Sequence, residues 1–432
     1  MARGPTRLRL DKVAANMQRS AHATYQAKGS SSDSGRVPEP PLGALRWLVH
    51  HDGEKTPPMS PTFRIASYNV ENLFERPKAM RLSTWEEGRP ILEQHARISA
   101  LINQPKYSAA DKVEMLELLT KLGLNGADEG GQFARLRQIR ERLVKRPPGK
   151  PVEIVASGRA DWIGWVELKT EPVDELAMRH TARVIKDVDA EILGVIEAEN
   201  RISLSRFSGQ MLQLVGGTPY ARVMLIDGND DRGIDVAVLT KPGFDVVNVR
   251  PHIDDADGQG IIFSRDCPEF AITTPSGESI VVLVSHLKSK GFGGQASSNA
   301  KRKRQATRTA EIYARLLAEG HSSVAIVGDF NDTPDSAPLA PLLAQTDLRD
   351  VSTHPKFVSD GRPGTFGNGT KGTKIDYILL SPALFNRVTN ARVFRKGVWG
   401  GKKGDLWPVY ATMKAKVNQA SDHAAIYADI KL

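Results

Sequence analysis

The pattern of apolar and polar positions predicts several buried strands that have polar residues at one end. The clearest is residues 324–327, Val-Ala-Ile-Val, a continuous apolar run before Gly328 that is typical of a strand inside a sheet. Asp329, Asn331 and Asp332 follow in a turn that contains Pro334. Polar side chains at the ends of rigid strands are a common way to build a catalytic site.

Four other stretches combine a predicted apolar strand with polar residues at one end. They are residues 63–68 with Asn69, residues 191–198 with Glu197, residues 279–285 with His286, and residues 375–380 with Asp376. Asp422 and His423 precede one more apolar stretch near the C-terminus. Taken singly, each of these residues is also compatible with a turn, a surface or a core position. Their recurrence in one chain favours a shared site.

The rest of the pattern predicts short strands interspersed with helices. The predicted helices are 174–187, 202–215 and a basic helix at 298–318, and the further strands are 152–156, 162–168, 221–226, 234–239, 245–249, 261–265 and 270–273. The elements do not alternate strictly, and several strands form hairpin-like pairs. The sequence therefore predicts an α+β sandwich rather than a doubly wound parallel sheet.

Residues 84–146 interrupt this pattern with apolar residues at helical spacing. Three helices are predicted, marked by Ile91, Ile98 and Ile102, by Val113, Leu116 and Leu119, and by Phe133, Leu136, Ile139 and Leu143. We interpret this stretch as a helical insertion in the main domain. It either borders the functional site or decorates the surface, and the sequence favours neither.

The first 60 residues are predicted to be a disordered or loosely packed tail. Residues 29–41 are rich in Ser, Gly, Pro and charge, and such a composition buries too little apolar surface to offset the entropy of ordering. Residues 42–50 predict a short helix, and His50 and His51 are interpreted as solvated. The main domain is therefore expected to span residues 61–432.

Composition narrows the classes of partner and site. The chain of 432 residues has a formal net charge of +9, which favours a polyanionic partner. Its single cysteine, Cys267, excludes an intramolecular disulfide and a thiolate cluster for zinc. The sequence contains no run of 18 apolar residues, so no membrane span is predicted. Nothing in it indicates an obligate protein partner. No secretory signal is evident, which favours a cytoplasmic location.

The polar residues at the strand ends suit a hard cation and phosphoryl chemistry. Oxygen ligands without thiolates favour Mg²⁺ or Mn²⁺, and such a cation neutralises phosphate oxygens and a leaving oxyanion. A carboxylate beside an imidazole fixes its tautomer, so His423 with Asp376 suits base or orienting work. The set comprises Asn69, Glu197, His286, Asp329, Asn331, Asp376, Asp422 and His423.

Six motifs in order resemble the endonuclease/exonuclease/phosphatase superfamily. They are Asn-Val-Glu-Asn-Leu-Phe at 69–74, Ile-Glu at 196–197, Ser-His-Leu-Lys-Ser-Lys at 285–290, Gly-Asp-Phe-Asn-Asp at 328–332, Ile-Asp-Tyr-Ile-Leu at 375–379 and Ser-Asp-His at 421–423. The resemblance covers residues 62–432 and implies a four-layered α/β/β/α sandwich of two mixed sheets. It is specific for the superfamily and much less so for the substrate.

The resemblance also implies a role for each residue. Glu197 would be the main Mg²⁺ ligand, with Asn69 helping to place the metal or phosphate and Asp422 near the metal. Asp329 and Asn331 would position the attacking water or stabilise the transition state. His286 would bind phosphate or act as an acid, and Asp376 would pair with His423, the base or orienting imidazole. Which imidazole is the base stays open.

The chain departs from the superfamily pattern beside the metal glutamate. Ile196 stands where most members have Gln, so one polar contact is missing. Glu199, two residues after Glu197 and on the same predicted strand face, is a candidate second ligand.

Basic residues near the motifs make nucleic acid the leading substrate hypothesis. Candidate contacts to phosphate or nucleic acid are Arg232, Lys288, Lys301, Arg302 and Arg304. Trp399, Lys402, Lys403 and Trp407 suit either base stacking or anchoring of their loop. We therefore expect a Mg²⁺- or Mn²⁺-dependent phosphodiesterase acting on nucleic acid, with DNA as the expected substrate. The alternatives are a phosphatase of monoesters, lipids or sugar phosphates, and a non-catalytic nucleic-acid-binding module.

Overall fold

The computed structural model describes residues 62–82, 85–230, 232–290 and 294–432. The N-terminal tail predicted for residues 1–60, with its short helix and His50 and His51, lies outside the described residues. All described residues belong to one unit, Met59–Leu432. Within them, no helix is both long enough and apolar enough to cross a membrane.

Eight α-helices are present in the described part of the chain. In order they are α1 (Trp85–Ile102), α2 (Ala109–Lys121), α3 (Glu175–Val188), α4 (Arg201–Arg206), α5 (Leu212–Leu214), α6 (Gln295–Ala318), α7 (Ala340–Leu343) and α8 (Pro382–Phe385). A π-helical turn, Phe207–Met211, joins α4 to α5. Local sequence explains several helix starts, since Ser108, Asp174 and Asn200 cap α2, α3 and α4 through their side chains.

Strands and a few short 3₁₀ helices make up the rest of the regular structure. In order they are β1 (Thr62–Asn69), β2 (Glu75–Pro77), β3 (Ala134–Arg140), β4 (Val144–Lys145), β5 (Glu153–Ile154), β6 (Ile163–Leu168), β7 (Thr170–Pro172), β8 (Ile192–Ala198), β9 (Arg222–Ile226), β10 (Asp235–Thr240), β11 (Asp245–Arg250), β12 (Ala256–Asp257), β13 (Gly260–Ile261), β14 (Glu269–Thr273), β15 (Ser279–His286), β16 (Val324–Asp329), β17 (Arg349–Asp350), β18 (Phe357–Val358), β19 (Asp376–Leu380), β20 (Val388–Phe394) and β21 (Ala425–Lys431).

Two mixed sheets form the centre of the domain, as predicted. The first has seven strands in the order β18-β20-β21-β1-β8-β10-β9, and the second has six in the order β11-β14-β15-β16-β19-β17. Each contains an inner parallel pair, β1 with β8 and β15 with β16, among antiparallel neighbours. The carboxyl ends of the parallel strands bring the predicted site residues to one edge of each sheet.

The hydrophobic core between the sheets follows from the alternation of side chains along the strands. Val282 and Val284 of β15 face the first sheet and pack with Ile65 and Ile196, whereas Leu283 faces the other way. All are fully buried, and each contributes about 1.5–3 kcal/mol relative to exposure. The sheets approach so closely at Gly194 that an added Cβ would lie 2.4 Å from Cγ2 of Val327.

Helices cover the outer face of each sheet. Val184 and Ile185 of α3 and Leu204 of α4 pack on the first sheet, while Ile312 and Leu316 of α6 pack on the second. The result is the four-layered α/β/β/α sandwich that the sequence predicted.

The insertion folds around a small core of its own. Helices α1 and α2 form as predicted, and Leu119 and Trp162 are among the residues buried in this core. The third predicted helix is wrong, because Ala134–Arg140 forms strand β3 and pairs with β6. Its helical spacing was coincidental: Leu136 is buried, whereas Ile139, at a register shift in the ladder, is 65% exposed. The insertion is therefore half helix and half β-ribbon.

Candidate active site

Three strands of the second sheet place His286, Asp329 and Asp376 in one row. His286 ends β15 and pairs with Asp329 at the end of β16, and Asp329 in turn pairs with Asp376 at the start of β19. Side chains of paired residues project from the same face of a sheet. His286 Nε2 consequently lies 3.6 Å from Oδ2 of Asp329. The pairing thus brings together residues that are up to 90 positions apart in the sequence.

The edge of the first sheet lies opposite this row. Asn69, at the end of β1, donates from Nδ2 to Oδ2 of Asp329 at 3.3 Å, and this bond connects the two sheets. Oε1 of Glu197 lies 3.7 Å from Nε2 of His286. The structure therefore brings together residues that the sequence analysis selected from both sheets.

A local irregularity in strand β8 sets the position of Glu197 beside His286. In the ladder between β8 and β10, Ala198 pairs with Asp235 and Ile196 with Val236, so Glu197 is an extra residue in a bulge. Its φ is +66°, a left-handed conformation that is strained for a residue with a side chain. Bulges of this kind redirect side chains next to active sites.

Asp376 orients His423. Its Oδ2 accepts from Nδ1 of His423 at 2.9 Å and from the Thr365 hydroxyl at 2.6 Å. With Nδ1 engaged, Nε2 of His423 is directed towards Asp329 and lies 3.8 Å from its Oδ2. Burial alone would lower the pKa of His423, but the Asp376 carboxylate outweighs it and holds that pKa well above its usual value.

Several carboxylates lie close together at this site. Burial, together with the neighbouring Asp376, raises the pKa of Asp329 to about 7. Burial and the neighbouring Glu71 raise the pKa of Asp422 to about 8. Burial is the largest cause of both shifts, and the neighbouring carboxylates add to it.

His286 faces cations on its other side. Burial, reinforced by the positive charges of Arg265 and Arg232, lowers the pKa of His286 well below its ordinary value. Both arginines are held by Asp230, whose Oδ2 lies 3.0 Å from Nε of Arg265 and 2.7 Å from Nη2 of Arg232. His286 is therefore a neutral imidazole between carboxylates and guanidinium groups.

The donor set fits a divalent cation. The side chain of Glu197 is only 14% exposed, and no hydrogen bond to its carboxylate occurs among the described residues. A buried carboxylate without donors is costly unless a cation compensates it. Carboxylate oxygens of Glu197 and Asp422 match the preference of Mg²⁺ or Mn²⁺.

A second group, Asp329, Asp376 and His423, also brings potential ligand atoms within 4.8 Å of one another. Asp376 already accepts bonds from His423 and Thr365, however, so this group suits proton handling better than metal binding. Asn69 contributes mainly through its amide, because its Oδ1 accepts from the backbone N–H of Glu71 at 3.0 Å while Nδ2 holds Asp329.

Asn331 is placed beside Asp329 by the turn after β16. Its backbone N–H donates to Oδ1 of Asp329 at 2.8 Å, and its side chain donates to the carbonyl of Leu287 at 3.1 Å. Its φ of +54° belongs to the left-handed region, which asparagine tolerates better than most residues.

Glu199, the suggested second metal ligand, has structural partners at one carboxylate oxygen, while its Oε2 is buried without a hydrogen-bond partner among the described residues. Its Oε1 accepts from the backbone N–H groups of Leu73, Phe74 and Glu75 at 2.9, 2.6 and 3.1 Å. These bonds fix the segment that follows β1. The carboxylate therefore orders backbone near the site.

The predicted basic contacts on α6 are largely used inside the fold. The side chain of Arg302 is fully buried and pairs with Asp332 at 3.3 Å, so the prediction that it binds nucleic acid is wrong. Arg304 pairs with Asp257 through Nε at 2.6 Å, and Lys301 donates to the carbonyl of Ile261. These basic side chains attach α6 to neighbouring segments.

Arg232 and Lys288, in contrast, lie beside His286. Burial, with the charge of Arg265, lowers the pKa of Lys288 to about 8. In the C-terminal loop, Trp407 donates from Nε1 to the carbonyl of Val398 at 2.9 Å, and Arg395 lies 5.4 Å from its ring centroid. Of the two interpretations of that loop, anchoring describes Trp407.

Sequence reasoning missed four residues that support the site. Thr365 holds Asp376, Ser421 donates to the carbonyl of Asn69 at 2.8 Å, Glu71 accepts from the N–H of Asp422 at 3.1 Å, and Arg265 faces His286. Two signals were available. Arg265 ends a predicted strand, and Glu71 and Ser421 lie within the quoted motifs.

Comparison with known proteins identifies the family of the chain. The family model described as Endonuclease/Exonuclease/phosphatase family matches residues 171–423. The chain belongs to this family. Its members are metal-dependent phosphoric ester hydrolases, and so is this protein.

Similar solved structures share low sequence identity with this member of the family. A family protein from Bacteroides thetaiotaomicron is 18% identical, with a TM-score of 0.45, covering 59% of this chain and 86% of that one. The mannosyl-6-phosphatase of the same bacterium is 17% identical, with a TM-score of 0.43 and coverages of 59% and 90%. Truncated TDP2 from Caenorhabditis elegans is 16% identical, with a TM-score of 0.42 and coverages of 60% and 91%. No curated protein matches the chain.

Proposed function

We propose that the protein is a Mg²⁺-dependent phosphodiesterase that hydrolyses nucleic acid and acts as a DNA endonuclease. The observation that supports it most is the cluster in which Glu197 lies beside His286 while Asp329 lies between two imidazoles. Such a site combines a place for a hard cation with groups that bind water and transfer protons, as phosphoester hydrolysis requires. Mn²⁺ would satisfy the same ligands.

Glu197 is the proposed main ligand of the cation, and Asp422 the second. When bound, the cation neutralises charge on the phosphate and on the leaving oxygen. Asn69 contributes by holding the Asp329 carboxylate. The raised pKa values of Asp329 and Asp422 are consistent with a site that a bound cation would stabilise.

The remaining residues handle the water and the phosphate. We assign Asp329, fixed by Asn69 and the backbone of Asn331, to holding the attacking water and receiving its proton. His423, oriented by Asp376, faces the phosphate through Nε2. His286 lies next to Glu197 and Asp329, where it donates a hydrogen bond to a phosphate oxygen.

Charge supports nucleic acid as the substrate class. The chain carries a formal net charge of +9, and the positive charges of Arg232 and Arg265 act on both His286 and Lys288. A polyanionic backbone binds to such surfaces through its phosphates. The basic residues of α6 are not part of this support, because Arg302 is buried and Arg304 is paired.

Cleavage of supercoiled plasmid tests the proposal. The full-length protein should nick plasmid with Mg²⁺ or Mn²⁺ and not with EDTA, and His423→Ala should abolish nicking. His321→Ala, which alters a histidine just before β16 at the opposite end of the sheet, is the matched control and should keep full activity. Intact plasmid under all conditions, with turnover of phosphomonoesters, would show that the substrate class is wrong.

A further inference from the structure

The ribbon of the insertion exposes an aromatic and basic face. In the pairing of β3 with β6, Arg137 lies opposite Trp165 and Arg135 opposite Glu167. Trp165 is 47% exposed, although a large aromatic side chain is normally covered. Both arginines donate to Glu167, at 2.8 and 2.6 Å, so its negative charge is offset within the ribbon.

A cavity of about 470 Å³ opens beside Trp165. The ribbon and α1 line one side, through Trp165, Leu168 and Ile102, and the loop before β10 lines another, through Arg232 and Gly233. Arg159 also lines it and is held in place, because it donates to the carbonyl of Trp162 at 3.3 Å and lies over that indole. The cavity thus has one exposed indole and two guanidinium groups in its lining.

Arg232 connects this cavity to the active site. It lines the cavity, and its charge also acts on His286 and on Lys288. Arg232 is fixed by Asp230, which it contacts through both its backbone N–H and its guanidinium. Arg232 is therefore common to the lining of this cavity and to the charged surroundings of His286.

We propose that this cavity is a nucleotide subsite, in which a base next to the scissile phosphate stacks on Trp165 and the adjoining phosphate binds Arg232 and Arg159. The inference rests on the proposed function and names a residue that selects polynucleotides over small phosphate esters. Charge complementarity favours this occupant, because Arg159 and Arg232 line the cavity together with Trp165, while the Glu167 carboxylate that also lines it is already paired with Arg135 and Arg137. Base stacking on an aromatic side chain is tolerant of sequence.

Binding of two oligonucleotides of equal length separates stacking from charge. One is a single-stranded thymidine 12-mer, and the other has the same phosphates on abasic tetrahydrofuran units. Full-length His423→Ala protein in Mg²⁺ prevents cleavage, and fluorescence anisotropy measures the Kd of each. Adding Trp165→Ala should weaken binding of the thymidine 12-mer about tenfold and leave the abasic 12-mer unchanged.

Two further variants control for loss of structure. Trp165→Phe retains an aromatic ring and should bind within about twofold of the parent. Val247→Ala changes a side chain that is 63% exposed on β11, at the edge of the second sheet, and should change neither Kd. Circular dichroism and melting temperature should show that the Trp165→Ala protein is folded.

The outcomes separate this inference from the proposed function. Plasmid nicking with equal Kd values for Trp165→Ala and its parent would overturn the subsite and leave the nuclease intact. Equal weakening of both oligonucleotides would also overturn it, because stacking needs a base. Absence of oligonucleotide binding by the His423→Ala parent, together with absence of nicking by the unmodified protein, would overturn both proposals.

Discussion

Oδ2 of Asp376 lies 2.9 Å from Nδ1 of His423, and both side chains are buried. The two residues are 47 positions apart, and the start of β19 and the segment before β21 bring them together. The Asp376 carboxylate selects the ring orientation in which Nε2 of His423 is directed towards Asp329. It also raises the pKa of His423, despite the opposing effect of burial.

Asp376→Asn should therefore impair turnover more than binding. The amide keeps the shape but removes the charge that stabilises the imidazolium, so kcat should fall about 10²- to 10³-fold with little change in KM. Steady-state kinetics on an oligonucleotide substrate measure both parameters. Asp405→Asn, at an exposed position in the C-terminal loop, is the matched control. A variant in which KM rises while kcat is unchanged would show that Asp376 acts in binding.

Removal of the proposed metal ligand should separate metal binding from folding. Glu197→Gln should weaken Mn²⁺ binding at least about tenfold in calorimetry and abolish the rise in melting temperature that the metal produces. Without metal, the variant should melt no lower than the natural protein, because Glu197 adds to the repulsion at Asp329 and Asp422. Glu117→Gln, on the exposed face of α2, is the control. Unchanged Mn²⁺ affinity would remove Glu197 from the ligand set.

Sequence reasoning succeeded where periodicity and strand ends coincide. Residues such as His286, Asp329 and Asp376 follow or open strongly apolar strands, and a sheet brings such ends together by its register. The sandwich class followed from the same pattern. These features depend on local sequence and on general rules of sheet pairing.

Sequence reasoning failed where contacts between distant segments determine the local structure. The segment Ala134–Arg140 carries apolar residues at both two- and three-residue intervals, and only the pairing with β6 selects the strand. Arg302 stands in a run of basic residues, yet the turn after β16 places Asp332 against its guanidinium. A charge run on a helix does not reveal which member faces a buried carboxylate.

Arg302 should consequently matter for stability. It is fully buried and donates to Asp332, Ser298 and Asn299, so Arg302→Met leaves the Asp332 carboxylate with Lys290 and the backbone N–H of Thr333. Breaking one side of a buried ion pair costs about 3 kcal/mol. Urea denaturation of Arg302→Met and of Lys303→Ala, an exposed neighbour on α6, measures the difference. Loss of DNA affinity without loss of stability would restore Arg302 as a nucleic-acid contact.

Glu278 should give the protein part of its acid sensitivity. Its carboxylate accepts from Nη1 and Nη2 of Arg387 at 2.7 and 2.8 Å, which joins the turn before β15 to the segment before β20. The hydrogen bonds from Arg387 lower the pKa of Glu278, so the stabilisation is present above the unfolded-state value of about 4.3 and is lost as pH falls through the lower folded-state pKa.

Glu278→Gln should therefore destabilise the protein by about 1 kcal/mol at pH 7 and by much less at pH 3, because the pair is partly exposed and solvent screens it. Urea denaturation at both values of pH tests this difference. Glu141→Gln, an exposed glutamate in the insertion, should show no such dependence. Equal destabilisation at pH 3 and pH 7 would mean that packing, not charge, explains the effect.

Cys267 should report unfolding directly. It is fully buried, and burial raises the pKa of its thiol to about 12, so almost no reactive thiolate forms near neutral pH. A thiol reagent such as 5,5′-dithiobis(2-nitrobenzoate) should label well under one tenth of the native protein in an hour and one equivalent in denaturant. Because Cys267 is the single cysteine of the chain, the signal is unambiguous. Arg302→Met should label faster than Lys303→Ala if the buried pair stabilises the packing of α6. Rapid labelling of the unmodified native protein would contradict the burial of Cys267.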